Sequence, residues 1–337
     1  MLAKMRENLR MNWKQVQEST ITWLPQLNAN EQTHGSWARH LKTYAEVPPV
    51  FKGFFQPFLE QSSDFPYAVL TPSYEGFLHR TSEKLICAYG DEVAVLERHA
   101  DGFTAQCYPV DEISYVEFST ILLDSRITFR GLTGQGAPAV TTLKFNSITD
   151  YLFTPILEKI RSSQPGPKGF ISSTELEKFD QWVRVNYKFM SYARRSLLGG
   201  ERVLHTILQP EIQARLLTIL GKSYYRRVSP AHMCILTDHE LIMFREETRQ
   251  GGDARYGGTW DYIPVNKIEN LSRRGKDEGL LVLSIQLPEG ICLEYLYKAD
   301  AERKLNQLID RYLELISIRP ALLGITDCAN TTRYCRR

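Results

Sequence analysis

Two short basic clusters, the first of them beside tyrosines, are the residues of this chain most suited to chemistry. They are Tyr224-Tyr225-Arg226-Arg227 and Arg273-Arg274-Gly275-Lys276. A third pair, Arg255-Tyr256, sits in the segment Thr248–Gly258, which is rich in Gly and Arg. Arg beside Tyr can hold an anion or stack on a ring. The chemistry on offer is therefore non-covalent capture of an acidic peptide or an anionic head group. The candidate ligand-binding set is Arg226, Arg227, Arg255, Tyr256, Arg273, Arg274 and Lys276, and Arg194-Arg195 adds a further cationic pair. The competing reading of all of them is an ordinary solvated surface.

Catalytic chemistry finds less support. The seven histidines are His34, His40, His79, His99, His205, His232 and His239, and none lies at a metal spacing such as HxxxH. There is no G-x-S-x-G, Walker loop or G-x-G-x-x-G. Gly199-Gly200 and Gly251-Gly252 are followed by Glu and Asp, which repel phosphate. Cys87 and Cys234 lie beside hairpin turns with no activating base near them in sequence, so they read as core. No catalytic residue, metal ligand or cofactor is assigned.

Composition narrows the class. A net charge of +2 over 337 residues gives no global pull toward nucleic acid. No run of about 18 uncharged apolar residues occurs, so no transmembrane helix is expected, and the first residues do not read as a secretory leader. Four of the six cysteines sit inside apolar strand patterns and no CxxC occurs, while Cys328 and Cys335 lie in a polar tail. The expectation is a reduced, cytoplasmic protein, peripheral to a membrane at most.

The elements that must position these residues are written twice. KLICAYGDEVAVLER at 84–98 aligns with HMCILTDHELIMFRE at 232–246, so that Leu85 falls on Met233, Glu92 on Glu240 and Leu96 on Phe244. A second match sets Pro109-Val110-Asp111-Glu112-Ile113 against Pro264-Val265-Asn266-Lys267-Ile268. Each copy reads as about seven short strands closed by an amphipathic helix, Thr149–Arg161 in the first and Ala299–Ile318 in the second. The cores should use Leu85, Val93, Val95 and Ile113 in one copy, and Met233, Leu241, Met243 and Ile268 in the other. Between the matched motifs the second copy is seven residues longer, and the excess falls in Thr248–Gly258.

Helices are expected before and between the copies. Residues 1–62 read as a helical lead-in, with a short helix over Ser36–Tyr44 and an aromatic face of Phe51, Phe54, Phe55 and Phe58. SSQPGPKG at 162–169 is a linker signal. Ser172-Ser173-Thr174-Glu175 fits a capping box opening one helix along Leu176, Phe179, Val183, Tyr187 and Met190. Pro210 suggests the first turn of another helix, with Ile212, Leu216, Ile219 and Leu220 on its face. The expected divisions are 1–62, a first domain at 63–162, a linker and bridging helix at 163–199, a second domain at 200–318 and a polar tail at 319–337.

The second copy, with ILTDHELIMFREE, then RYGGTWDYIPVNKIENL and GICLEYLY, resembles bacterial pleckstrin-homology-like domains of the GRAM and YokE-like type. Thr237, Asp238, Glu240, Leu241, Pro264 and Ile268 carry the match, and Pro109 and Ile113 keep part of it in the first copy. The resemblance implies an α+β, mainly β fold, with two seven-stranded antiparallel barrels or sandwiches, each capped by a C-terminal helix. It also implies a scaffold that binds peptides, membranes or partner domains. The basic motif with which phosphoinositide-binding members hold a head group has no counterpart at Gly90-Asp91 or Asp238-His239. The functional expectation is a non-enzymatic binding or scaffolding protein whose partner is a protein or an anionic lipid surface, without nucleic acid. An enzyme with an interdomain site and a peripheral phospholipid-binding protein are the alternatives.

Overall fold

The computed structural model describes residues 37–61, 65–75, 80–162, 169–219, 222–246, 257–276 and 279–322. The architecture is mainly β, with antiparallel sheets and five α-helices among these residues. In the first half, β1 (Arg39–Leu41), β2 (Tyr67–Thr71), β5 (Lys84–Tyr89), β6 (Glu92–His99) and β7 (Gly102–Pro109) form one sheet, in that order. The short strands β3 (Tyr74–Glu75) and β4 (Arg80–Thr81) pair between β2 and β5. Then follow β8 (Ile113–Ile121), β9 (Asp124–Leu132) and β10 (Pro138–Asn146). Helix α1 (Lys52–Gln61) precedes this half and α2 (Thr154–Arg161) closes it.

The second half repeats the order. β11 (Val203–Gln209) leads through a hairpin of β12 (Ile212–Ile219) and β13 (Lys222–Ser229) into β14 (His232–Thr237), β15 (Glu240–Arg245) and β16 (Gly257–Pro264). β17 (Asn270–Lys276), β18 (Leu280–Leu287) and β19 (Ile291–Lys298) form a second sheet, and α5 (Glu302–Leu322) closes the half. Helices α3 (Ser173–Glu177) and α4 (Tyr187–Ser196) precede it.

The matched sequence registers fall on corresponding strands, and the match extends to backbone geometry. Pro109 (φ −56, ψ 133) and Pro264 (φ −58, ψ 133) each end a strand and start a single 3-10 turn, because the ring holds φ near the value that such a turn needs. In each turn the following Val donates its N–H to the preceding hairpin, Val110 to Asp91 O and Val265 to His239 O, both at 2.9 Å. Ile113 and Ile268 then enter the next strand, buried.

The first sheet of each half is apolar on both faces. Ile86, Val93, Val95, Val110 and Ile113 point inward with Phe153, Ile156 and Ile160 of the closing segment. Their counterparts Cys234, Leu241, Met243, Val265 and Ile268 point inward with Leu305, Leu308 and Tyr312. On the other face Leu85, Cys87, Ala94 and Leu96 pack on Phe51 and Phe55, while Met233, Ile235, Ile242 and Phe244 pack on Phe179, Phe189 and Met190. Leu85 and Met233, expected in the central cores, therefore belong to the outer layer. The helical segment before each half is part of the repeated design, since it covers a face that would otherwise expose several large apolar residues.

The sheets are open, and the expected barrels do not close. β8 pairs with β16 from Gly257↔Ile121 to Tyr262↔Val116. This makes one seven-stranded sheet, β10-β9-β8-β16-β15-β14-β11, that runs through both halves.

Four further expectations are corrected. The helix after Pro210 is the β12–β13 hairpin. Its apolar residues also suit a β-rich run, and Leu220-Gly221 lies between its two strands. Residues 39–41 of the presumed second short helix form strand β1, paired with β2. The bridging helix is broken by a 3-10 turn at Asp180–Trp182 and restarts where Asn186 Oδ1 accepts the Phe189 N–H at 3.2 Å. Val183 and Tyr187 are consequently exposed. The closing helix passes Ile318 and runs to Leu322. The lead-in before Trp37, the linker core at 163–168 and the tail beyond Leu322 lie outside the described residues.

Candidate binding surface

Cross-strand pairing collects several features at one end of the continuous sheet. Ile121 pairs with Gly257, Thr259 with Arg245, Arg245 with His232, and His232 with Gln209. The β8–β9 turn, the start of β14 and the stem of the β12–β13 hairpin therefore share that end.

The β8–β9 turn is Leu122-Leu123, at 63% and 61% exposure. Leu122 has φ 52, in the left-handed region that a two-residue hairpin ordinarily fills with Gly or Asn. The knuckle is braced from below, where Ser147 Oγ donates to Leu122 O at 2.6 Å and Ser147 N to Leu123 O at 3.1 Å. The next residue, Ile148, is also exposed.

The β12–β13 hairpin is a two-stranded ribbon in a sheet of its own. Arg215 pairs with Tyr225, Ala214 with Arg226 and Gln213 with Arg227. Arg215, Leu216 and Ser223 through Arg227 are all exposed. Tyr224 (51%) and Tyr225 (60%) are neighbours on one strand, so they project to opposite faces, and both faces meet solvent.

Below the ribbon lies a cavity of about 360 Å³, lined by Ser229, Pro230, His232, Arg245 and Tyr295 among others. That is the lower range of small-molecule pockets. His232 Nδ1 donates to Pro230 O at 3.1 Å, which leaves Nε2 as an acceptor with no partner among the described residues. Burial pushes the imidazole down to about 4, against the opposing pull of that hydrogen bond. It is neutral at pH 7 and about three pH units too weak for an efficient general base.

Next to the cavity the two halves are joined by charge. The Arg245 guanidinium bridges Asp261 of β16 and Glu117 of β8, the latter at 2.9 Å. Tyr295 Oη donates to Asp261 Oδ2 at 2.5 Å, and burial raises the Asp261 carboxyl while Arg245 opposes it. Thr259 Oγ1 meets Ser119 Oγ at 3.1 Å, and Phe118 stacks on Trp260 at 5.5 Å. At the far end of the seam, α2 sends Arg161 into the second half. Its Nε reaches both Glu240 oxygens at 3.1 and 3.2 Å, its Nη2 donates to Ser196 O at 2.5 Å, and its guanidinium lies 3.9 Å over Tyr262. Burial and then the charge on Glu240 push neighbouring Glu201 up to about 8.

The expected cations are only partly assembled. Arg226 and Arg227 stand on the ribbon, Arg227 paired with Glu211 at 2.5 Å. Arg273, Arg274 and Lys276 stand on β17, in a different sheet, where Arg273 pairs with Glu302 at 2.8 Å and Arg274 with Glu294 at 3.0 Å. β17 is the edge of its sheet, and cations on an edge strand discourage further strand pairing. Arg255 and Tyr256 lie outside the described residues. The Leu122-Leu123 knuckle went unread in the sequence, although two leucines where a hairpin turn calls for Gly or Asn were a visible signal. Cys87 and Cys234 are buried with raised thiol pKa values, burial being the first cause. No helix among the described residues is long and apolar enough to cross a membrane. No known family model matches the chain, and no curated protein matches it in sequence.

Proposed function

We propose that the protein is a non-enzymatic binding and scaffolding module of two tandem pleckstrin-homology-like domains, about residues 63–162 and 200–318, which offers one end of its shared sheet to a protein partner or an anionic surface. The observation that carries this reading is the gathering of exposed leucine, tyrosine and arginine side chains at the end of a sheet that both halves build. Supporting it, each half runs as a set of antiparallel strands, a proline corner, three further strands and a closing helix, in keeping with the strands-then-helix unit of the resemblance. A rigid sheet with projecting turns is a common way to present binding residues.

The cavity favours a second reading, an enzyme, because it sets His232 beside Tyr295 and close to Asp261. The weak basicity of His232 and the engagement of Asp261 with Arg245 and Tyr295 make this reading the poorer one.

Immobilised protein challenged with lysate and with anionic vesicles tests the proposal. One or the other should be retained by the wild type and lost from Tyr225→Ala/Arg226→Glu. Turnover in a broad hydrolase screen that disappears in His232→Ala would overturn it.

A further inference from the structure

We infer that the open edge of β19, over Cys292–Leu296, takes up an extended, uncharged peptide segment of a partner protein as an added strand, in the slot between β19 and the end of β13. This rests on the binding-module reading and names the form of the partner.

The first observation is the phase of the backbone hydrogen bonds. Along an antiparallel pair, residues alternate between those whose N–H and C=O bond across and those whose groups point away. Two contacts fix that phase here. Lys298 N donates away from β18, to Gln209 Oε1 at 3.0 Å. Gln286, opposite Cys292, turns its carbonyl to the other side of β18, where it accepts from Glu269 N at 2.8 Å. Both contacts put the N–H and C=O of Cys292, Glu294 and Leu296 on the side away from β18. No strand pairs on that side among the described residues, because β19 ends the order β17-β18-β19.

The second observation is the space along that edge. Cys292 through Leu296, five consecutive residues, all line the cavity of about 360 Å³. One face of a strand would contribute only alternate residues. A cavity lined by consecutive ones runs along the backbone edge. Across it stand Val228, Ser229 and Pro230, at the end of β13, whose side away from β12 also pairs with no strand among the described residues. A gap between two unpaired edges is shaped for a strand. With spacings of about 3.3, 4.8 and 10 Å, a strand within a sheet takes roughly 160 Å³ per residue. The cavity therefore has room for about two residues of a segment that continues along the open edge.

The third observation concerns charge. β17, the other edge of this sheet, carries Arg273, Arg274 and Lys276, which discourage strand addition. β19 has no Lys or Arg from Ile291 to Tyr297. The charged side chains that line the cavity are already matched, Arg245 by Asp261 and Glu117 and Glu294 by Arg274. A charged side chain entering the slot finds no free counter-charge, and burying it unpaired is costly. Recognition thus falls to main-chain pairing, with apolar side chains resting against Val228, Pro230, Leu293 and Leu296.

A displayed library of random peptides, selected on the immobilised full-length chain, supplies the probe. The selected peptides should share a run of uncharged residues. With such a peptide bound, hydrogen exchange of the wild type should slow at the Glu294 and Leu296 amides. Leu293 and Tyr295, whose amides face β18, should exchange slowly with and without it. Glu294→Pro should lower the affinity at least about tenfold, since it removes an edge donor. It should leave the melt unchanged, because proline is tolerated on an edge strand where the N–H faces outward. The wild-type exchange pattern involves no variant, so it decides by itself if the proline disturbs β19. Peptides that bind without protecting Glu294 and Leu296 would overturn the inference. So would a dimer in light scattering that protects these amides without peptide, which would give the slot to a second copy of the chain. A library that enriches nothing, while lysate or vesicles are still retained through Tyr225 and Arg226, would remove this inference and leave the binding-module reading standing. Failure of both would remove both.

Discussion

At the scale of single residues, two buried groups titrate in opposite senses. His232 is held near 4 in the fold, below its ordinary 6.5, so its contribution is present above pH 6.5 and is lost as the pH falls through 4. With 2.5 pH units between the two values, the loss amounts to about 3 kcal/mol. Glu201 is held near 8, above its ordinary 4.5, so its contribution is full below 4.5 and is lost as the pH rises through 8. Urea melts across pH 4–9 should therefore show His232→Gln flattening the acid limb and Glu201→Gln flattening the alkaline one. Unaltered limbs would mean that neither group governs them. Leu122 yields a third expectation. Leu122→Gly relieves a left-handed Leu and should raise stability by about 0.5–1 kcal/mol, read as a higher urea midpoint. An unchanged or lower urea midpoint would mean that the left-handed turn does not strain Leu122.

At the scale of elements, the approach of β16 to β8 depends on a missing side chain. A Cβ at Gly257 would run into the Thr120 carbonyl of β8, which is backbone and cannot step aside. Gly257→Ala should therefore cost at least about 2 kcal/mol in chemical denaturation, at the upper end for a single small substitution. If Gly257→Ala melts like the wild type, the close pairing at this end of the seam is wrong. The preceding Gly251-Gly252 lies outside the described residues, so only the last glycines of the inserted segment have a structural account.

At the scale of the whole molecule, Arg161 and Glu240 are buried between the halves. Removing one partner leaves the other charge without compensation, so Arg161→Ala should cost about 3–5 kcal/mol, while Arg161→Met with Glu240→Leu should recover most of it. Because the two halves share a sheet, wild-type denaturation should follow one transition by fluorescence and by circular dichroism. Two separated transitions in the wild type would show that the seam does not couple them.

Much of this architecture was legible in local sequence because it rests on local physics. Strands 84–89 and 92–99 and their counterparts follow from apolar runs punctuated by turn residues, and the proline corners at 109 and 264 follow from one ring's restriction on φ. The repeat made each copy a check on the other. The β12–β13 segment was misread because its apolar spacing fits a helix and a strand equally, and only its position between β11 and β14 decides. The pairing of β8 with β16, the inward reach of Arg161 and the burial of His232 join residues far apart in the chain, and no local pattern encodes such meetings. The basic clusters were visible as residues. That Arg273 and Arg274 are engaged on a sheet edge, while Arg226 rides an exposed ribbon, depended on which carboxylates the fold brought within reach, and tertiary structure alone decided that.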